Sequence, residues 1–351
     1  MTSLFEGLRL GELALPNRVV MAPMTRARAG TDGLPTASTA THYARRATAG
    51  LIVSEGVQPS LVGQSNPNTP GLYNDAQVTA WRPVTSAVHT NGGRIFAQIM
   101  HGGRVGHPEV AGQRPVGPSA VALRGEVFAG ADFGRLPAPV PRALSTKEVG
   151  GEVAVYADAA RRAVSAGFDG VELHGANGYL IQQFLSSNAN LRTDAYGGSV
   201  AGRIRFAVEA AEATADAVGA ERVGIRLSPG GQVWDIVEDD VPDLYAALFD
   251  ALAPLGLAYV HVLVTASDDV LMELRKRWPT AFIVNPGGQI GETVGDLAQG
   301  EHWLSRGADL VSYGRAYLGN PDLVERFRTG APLRTVERDL WFQGGDSGYL
   351  D

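Results

Sequence analysis

The feature that most constrains this chain is a coarse alternation of short, often β-branched apolar runs with longer Ala/Leu/Arg-rich stretches. The runs predict strands at Val19–Met24, Leu51–Glu55, Arg94–Ile99, Gly170–His174, Val223–Leu227, Tyr259–Val264, Ala281–Val284 and Leu310–Tyr313. Most are continuous apolar segments, as parallel strands buried on both faces require. Helices are predicted at Ser38–Thr48, Asp75–Thr90, Ser145–Ala166, Arg203–Val218, Val241–Ala253, Asp268–Arg277, Thr293–Arg306 and, after the last strand, Pro321–Thr329. Ser145 and Glu148 form a capping box for the third of these. Eight strand–helix pairs in 351 residues predict an α/β fold, a closed (β/α)8 TIM barrel occupying residues 1–351 as a single domain. The competing open, doubly wound sheet is weakened by the lack of any Gly-x-Gly, without which the Rossmann pyrophosphate fingerprint cannot be written; the Walker A pattern is missing too. The longest irregular stretch, rich in Gly and Pro, covers residues 100–143 and reads as a lid or active-site wall inserted after the third strand.

Composition removes whole classes of chemistry. With no cysteine there is no disulfide framework, cysteine zinc site, iron–sulfur cluster or thiol nucleophile. The same absence suits a reducing cytosol, and the first residues, Met-Thr-Ser-Leu-Phe-Glu, carry no signal-peptide pattern, so a cytoplasmic location is expected. A formal charge of −7 argues against a nucleic-acid surface, and no apolar run is long enough to span a bilayer. The expected partner is a small molecule, with the chain itself a monomer or homodimer.

In a barrel of this kind the functional residues sit just after each strand. Those positions hold Pro23-Met24-Thr25, Glu55-Gly56, Gln98 and His101, His174 with Asn177 and Tyr179, Arg226 with Ser228, Asn285-Pro286-Gly287-Gly288, and Gly314-Arg315. Hydrogen-bond donors dominate and carboxylates are few. There is no acid pair at glycosidase spacing and no metal triad, so no metal is expected. The glycines after the seventh and eighth strands match the common phosphate site of these barrels, with Arg315 as a bidentate partner; they also suit plain tight turns. His174, Asn177 and Tyr179 each have an ordinary structural reading, but three such groups within six residues beside two glycines favour a binding site.

Several motifs, in order and nearly end to end, resemble the old yellow enzyme family. They are Pro16-Asn17-Arg18 with Met21-Ala-Pro-Met-Thr-Arg26; His89 to Arg104 (HTNGGRIFAQIMHGGR); Ala166 to Leu180 (AGFDGVELHGANGYL) with Gln183-Phe-Leu185; Arg192 to Ser199 (RTDAYGGS); Arg226-Leu-Ser-Pro229; and Gly314-Arg315 with Asn320-Pro-Asp-Leu323. The resemblance implies an FMN-dependent ene-reductase that takes hydride from NADPH or NADH and passes it from flavin N5 to the β carbon of an activated alkene such as an enone, enal, maleimide or nitroalkene, with ping-pong kinetics. It implies that Thr25 bonds the flavin near O4 and N5, that Gln98 and Arg226 hold its pyrimidine end, and that the backbone near Pro23, Met24 and Gly56 frames the ring. Gly287, Gly288, Gly314 and Arg315 would take the phosphate. His174 and Asn177 would polarise the substrate's carbonyl or nitro oxygen, and Tyr179 would protonate the α carbon. Arg226 has a physical task in this scheme, because reduction leaves negative charge near N1 and O2. Threonine at position 25 fits the classical branch, and the lack of cysteine excludes the related dienoyl-CoA reductases with their iron–sulfur cluster. Departures are Met100 in place of Trp, Asn66 in place of an aromatic, Asn285-Pro286 before the phosphate turn, and Trp341-Phe342 in place of Phe-Tyr. These bear on substrate range.

Three rivals remain on the sequence. One is a nitroester or nitroaromatic reductase on the same scaffold. Another is a flavin-free barrel lyase or aldolase acting on a phosphorylated substrate; its Schiff-base form fails because Lys147 and Lys276, the only lysines, fall in predicted helices. The third is a flavin-binding protein without catalysis, which the presence of His174, Asn177 and Tyr179 disfavours.

Overall fold

The computed structural model describes residues 3–130, 134–287 and 294–350. Eight parallel strands close into a barrel: β1 Val19–Met21, β2 Leu51–Val57, β3 Ile95–Ile99, β4 Gly170–Gly175, β5 Val223–Leu227, β6 Tyr259–Leu263, β7 Ala281–Asn285 and β8 Leu310–Tyr313. Each strand pairs with the next, and β8 pairs with β1, Val311 opposite Val19. The register slips between Val53 and Gly56, where β2 meets β3; such an irregularity re-aims side chains at the end of a strand.

The helices lie outside: α1 Ala37–Ala44, α2 Asp75–Thr90, α3 Thr146–Ser165, α4 Val200–Val218, α5 Val241–Leu252, α6 Asp268–Arg277, α7 Leu297–Ser305 and α8 Leu323–Thr329. The capping box at Ser145 and Glu148 is present. The first and seventh helices are shorter than predicted. α1 stops at Ala44, and α7 starts only after Asp296, which accepts the N–H of Gln299 in a capping box of its own.

Period-2 alternation divides the barrel interior into layers. The lower layer is apolar, with Val20, Val53, Phe96, Tyr259, Ile283 and Leu310 packed together. Two of its inward positions are glycines for a steric reason. A Cβ on Gly170 would stand 2.4 Å from the Phe96 ring, and one on Gly224 would stand 2.3 Å from that of Tyr259. An antiparallel hairpin, Leu8–Leu10 with Leu13–Leu15, plugs this end through Leu10 and Leu15. The upper layer is polar, and it forms the floor of the site.

The stretch over residues 100–143 has more regular structure than its composition predicts. It holds a 3-10 turn at Gly103–Val105, a short helix at Pro108–Ala111 and an antiparallel pair, Glu126–Phe128 with Arg135–Pro137. A parallel pair, Val116–Gly117 with Arg142–Ala143, ties its interior to its far end.

Candidate active site

A cleft opens at the C-terminal ends of the strands. Pro23, Met24, Thr25, Gln98, His174, Asn177, Tyr179, Arg226, Gly287, Gly314 and Arg315 all line it. Gly56 does not. It lies behind Met100, and a Cβ there would meet the Met100 Sδ at 2.6 Å, so its smallness lets Met100 reach the wall. Gly288 falls outside the described residues.

The floor is organised by one fully buried carboxylate. Glu172 accepts from Gln98 Nε2 (2.8 Å), Tyr259 hydroxyl (3.1 Å) and His261 Nδ1 (2.8 Å). Because His261 donates through Nδ1, its Nε2 is left to accept from Ser312 Oγ at 2.7 Å. Arg226 stands above, with Nη1 3.4 Å from His261 Nε2 and Nη2 donating to Asn285 Oδ1 at 3.4 Å. Burial pushes the Glu172 carboxyl up, but His261, Arg226 and Gln98 outweigh it, and the group is held below the usual carboxylate range. Burial, with the Arg226 charge, lowers His261 to about 4, so its ring is neutral. Burial also lowers the guanidinium of Arg226, to about 10, which leaves it a cation at neutral pH. With the Gln98 amide nitrogen committed to Glu172, its carbonyl oxygen is the end available to the cleft.

The other wall comes from the turn after β4. Asn177 takes φ +54°, a left-handed conformation that asparagine tolerates better than most residues, and its N–H donates to Ser228 Oγ at 3.0 Å. Gly178 at φ +77° passes so close to Val233 that a Cβ would stand 2.4 Å from its carbonyl oxygen. These constraints bring His174, Asn177 and Tyr179 to one wall, with the His174 and Tyr179 ring centroids 5.1 Å apart. Burial raises the Tyr179 phenol above its ordinary value, against hydrogen bonds from Trp234, Asn66 and Ser65, so it stays a protonated donor. Burial, reinforced by Arg226, lowers His174 to about 3. It is therefore a neutral imidazole, and a function resting on its N–H survives as pH rises through the ordinary histidine value of about 6.5. NMR of the ring should show no titration between about pH 5 and pH 8; a shift centred near the ordinary value would mean the ring is charged.

At the far end Gly287 and Gly314 come together with Arg315, whose Nη2 lies 3.5 Å from the Gly287 carbonyl. On the Thr25 side, Glu55 Oε2 accepts the N–H groups of Arg26 (3.1 Å) and Ala27 (3.2 Å), fixing a turn in which Ala27 takes φ +53°.

Two buried atoms here, Arg226 Nε and His174 Nδ1, have no partner among the described residues. Buried polar atoms are rarely left so. The cleft therefore presents donors to an electron-rich, planar group at its floor, and glycine backbone with an arginine to an anion at its end, while the Glu172 oxygens are already engaged within the floor. That set fits a flavin mononucleotide.

The NADH:flavin oxidoreductase / NADH oxidase family model matches residues 3–334. The chain belongs to this family. It is similar to chanoclavine-I aldehyde reductase of Penicillium roqueforti, 39% identical over 100% of this chain and 96% of that protein. It is equally similar to a probable flavin mononucleotide-dependent alkene reductase of Leishmania infantum, 39% identical over 98% and 95% of the two chains. Among solved structures, the old yellow enzyme homologue of Zymomonas mobilis superposes with a TM-score of 0.95 at 38% identity, covering 100% of this chain and 99% of that one. Morphinone reductase in complex with tetrahydroNAD gives 0.94 at 41%, covering 100% and 97%. As a member of the family, the protein is an NAD(P)H-dependent flavin oxidoreductase with FMN as cofactor, built on a barrel of the old yellow enzyme type.

Sequence reasoning missed several groups of this site. Glu172 and His261 were visible in principle as inward positions, Glu172 two residues before His174. Trp234 lines the cleft from a loop and Phe128 from a three-residue strand, and neither element is long enough to show a period.

Proposed function

We propose that this protein is an ene-reductase acting on small activated alkenes, with NADPH or NADH as reductant and a ping-pong cycle. The observation that carries the reading is the single wall on which neutral His174, Asn177 and protonated Tyr179 meet above Gln98 and Arg226. When bound, FMN supplies the hydride acceptor for the nicotinamide and the hydride donor for the alkene. Thr25, Gln98 and Arg226 hold its ring, Pro23 and Met24 frame it, and Gly287, Gly288, Gly314 and Arg315 hold its phosphate. Gly56 contributes indirectly, by making room for Met100. His174 and Asn177 donate to the substrate's carbonyl or nitro oxygen, drawing electron density from the conjugated alkene and making its β carbon electrophilic. Tyr179 gives its phenolic proton to the α carbon.

The test is anaerobic stopped-flow. Holoenzyme should be reduced by a nicotinamide and then reoxidised by 2-cyclohexenone and by a nitroalkene. Reoxidation by nitrate esters or nitroaromatics with no alkene product would favour the nitro-reductase reading. Arg226 gives a second check. Arg226→Ala should lower the flavin reduction potential, since the guanidinium stabilises charge that reduction creates. An unchanged or raised potential in a folded variant would remove that role.

A further inference from the structure

Trp341 and Phe342 form part of the cleft wall, on a segment whose own hydrogen bonds are local, namely single turns and the Trp341 indole N–H to the Val336 carbonyl (3.0 Å). Its regular structure is one 3-10 turn, Arg338–Leu340, and Gly344, Gly345 and Gly348 all take positive φ. What organises it is a side chain more than 300 positions earlier. Arg28 Nε donates to the Gly345 carbonyl (2.6 Å). Its Nη1 donates to the carbonyls of Trp341 (3.2 Å) and of Arg26 in its own turn (2.8 Å). Its Nη2 donates to Leu340 (2.8 Å), Gln343 (2.6 Å) and Ser347 (3.0 Å). Every N–H-bearing nitrogen of the guanidinium thus donates to at least one backbone carbonyl of this loop, and Nη1 donates to Arg26 as well.

We propose that Arg28 is a specificity-determining positioning residue: its guanidinium is the nucleus around which residues 340–347 fold, and through them it sets where Trp341 and Phe342 stand against the substrate. A backbone carbonyl cage suits a planar cation with five fixed donors, whereas a lysine offers three from one point. Neighbouring contacts make the clamp directional. Arg26 donates from Nε to the Trp341 carbonyl (3.0 Å) and from Nη2 to that of Gly348 (2.6 Å). Both guanidinium groups lie over the Tyr349 ring, at 5.1 and 4.8 Å. That ring stacks on His42 at 4.0 Å, and His42 Nδ1 donates to the Tyr349 carbonyl at 2.8 Å. Tyr349 therefore anchors the far end of the tail, and Arg28 shapes the loop between that anchor and the cleft. Arg28 belongs to the turn that begins at flavin-facing Thr25, so the wall and the flavin-side turn share one piece of backbone.

This inference rests on the alkene-reductase reading for its kinetic test and is independent of it for its structural one. In the holoenzyme, Arg28→Ala should raise KM for 2-cyclohexenone about tenfold, the scale of small misfits in an apolar pocket. Its kcat and FMN content should stay within about twofold of wild type, because neither the hydride path nor the proton donor is touched. Arg28→Lys should not rescue KM, whereas tens of millimolar guanidinium should restore it to Arg28→Ala. Trp341→Ala should raise KM in the wild type and add little to Arg28→Ala, since contacts in one chain of action are not additive. Chymotrypsin should cut after Trp341 or Phe342 about tenfold faster in Arg28→Ala holoenzyme, by the same loss of restraint. Wild-type KM in Arg28→Lys, additivity with Trp341→Ala, or unchanged cleavage would each overturn the proposal. A wild type that reduces no alkene would instead sink the functional reading, and the cleavage assay would still judge Arg28.

Discussion

Tyr179→Phe should leave the nicotinamide half-reaction nearly intact and slow the reduction of 2-cyclohexenone by about 10²–10⁴-fold, the usual worth of a positioned acid. The substitution removes one oxygen and keeps the ring whose centroid lies 5.1 Å from that of His174, so the wall keeps its shape. Burial already holds the phenol above its ordinary value, and the group is a proton donor at every pH at which the protein would be assayed. On the proposed reading, nicotinamide oxidation would take no proton from this wall, whereas the α carbon of an enone would need one as hydride arrives. Nitroalkenes differ, because hydride addition leaves a stabilised nitronate that can take its proton later from water. Their consumption should fall much less. Equal loss in both half-reactions, measured by stopped-flow, would make Tyr179 structural. No loss in either would assign the proton to water or to another donor.

Removing the paired donors should have the next largest effect, and a different signature. His174→Ala and Asn177→Gly should each lower kcat/KM for the alkene by about 10²–10³-fold, as for a single donor to developing oxyanion charge. Glycine is chosen at 177 because the backbone there is left-handed at φ +54°, and alanine would add strain to the loss of the amide. On the proposed reading the nicotinamide carboxamide would also present a carbonyl oxygen to this wall, so its KM should rise in the same variants. Together the two changes should cost less than the product of the single effects, because both donors serve one oxygen. A lower FMN content with alkene kinetics per bound FMN unchanged would place these residues on the cofactor instead.

The barrel was legible because its signal is local and repeated. Eight apolar runs with helices between them have few other solutions, and each predicted run contains most of an observed strand. The donor wall was legible because His174, Asn177 and Tyr179 share a few residues of chain. Other parts were hidden for distinct physical reasons. The helices Leu180–Leu185 and Arg315–Gly319 are too short to show a period, and packing stabilises them. The N-terminal hairpin has three-residue strands. Gly56 stood correctly at a strand end, but only three dimensions reveal that Met100 fills the space beside it. The arginine clamp on the tail joins residues more than 300 positions apart, a distance at which no spacing rule operates.

Closure of the barrel also bears on how the chain is made. β8 supplies the partner of β1, and Arg18 reaches the Asp309 carbonyl across 291 positions. During synthesis, seven strands emerge before the eighth can seal them, and the growing sheet carries two unsatisfied edges until then. Early release, or a stop codon before residue 310, would leave those edges permanently open and prone to pair between chains. The clamp on residues 340–347 joins chain made on either side of that closure, since Arg28 follows β1 and the carbonyls it holds follow β8.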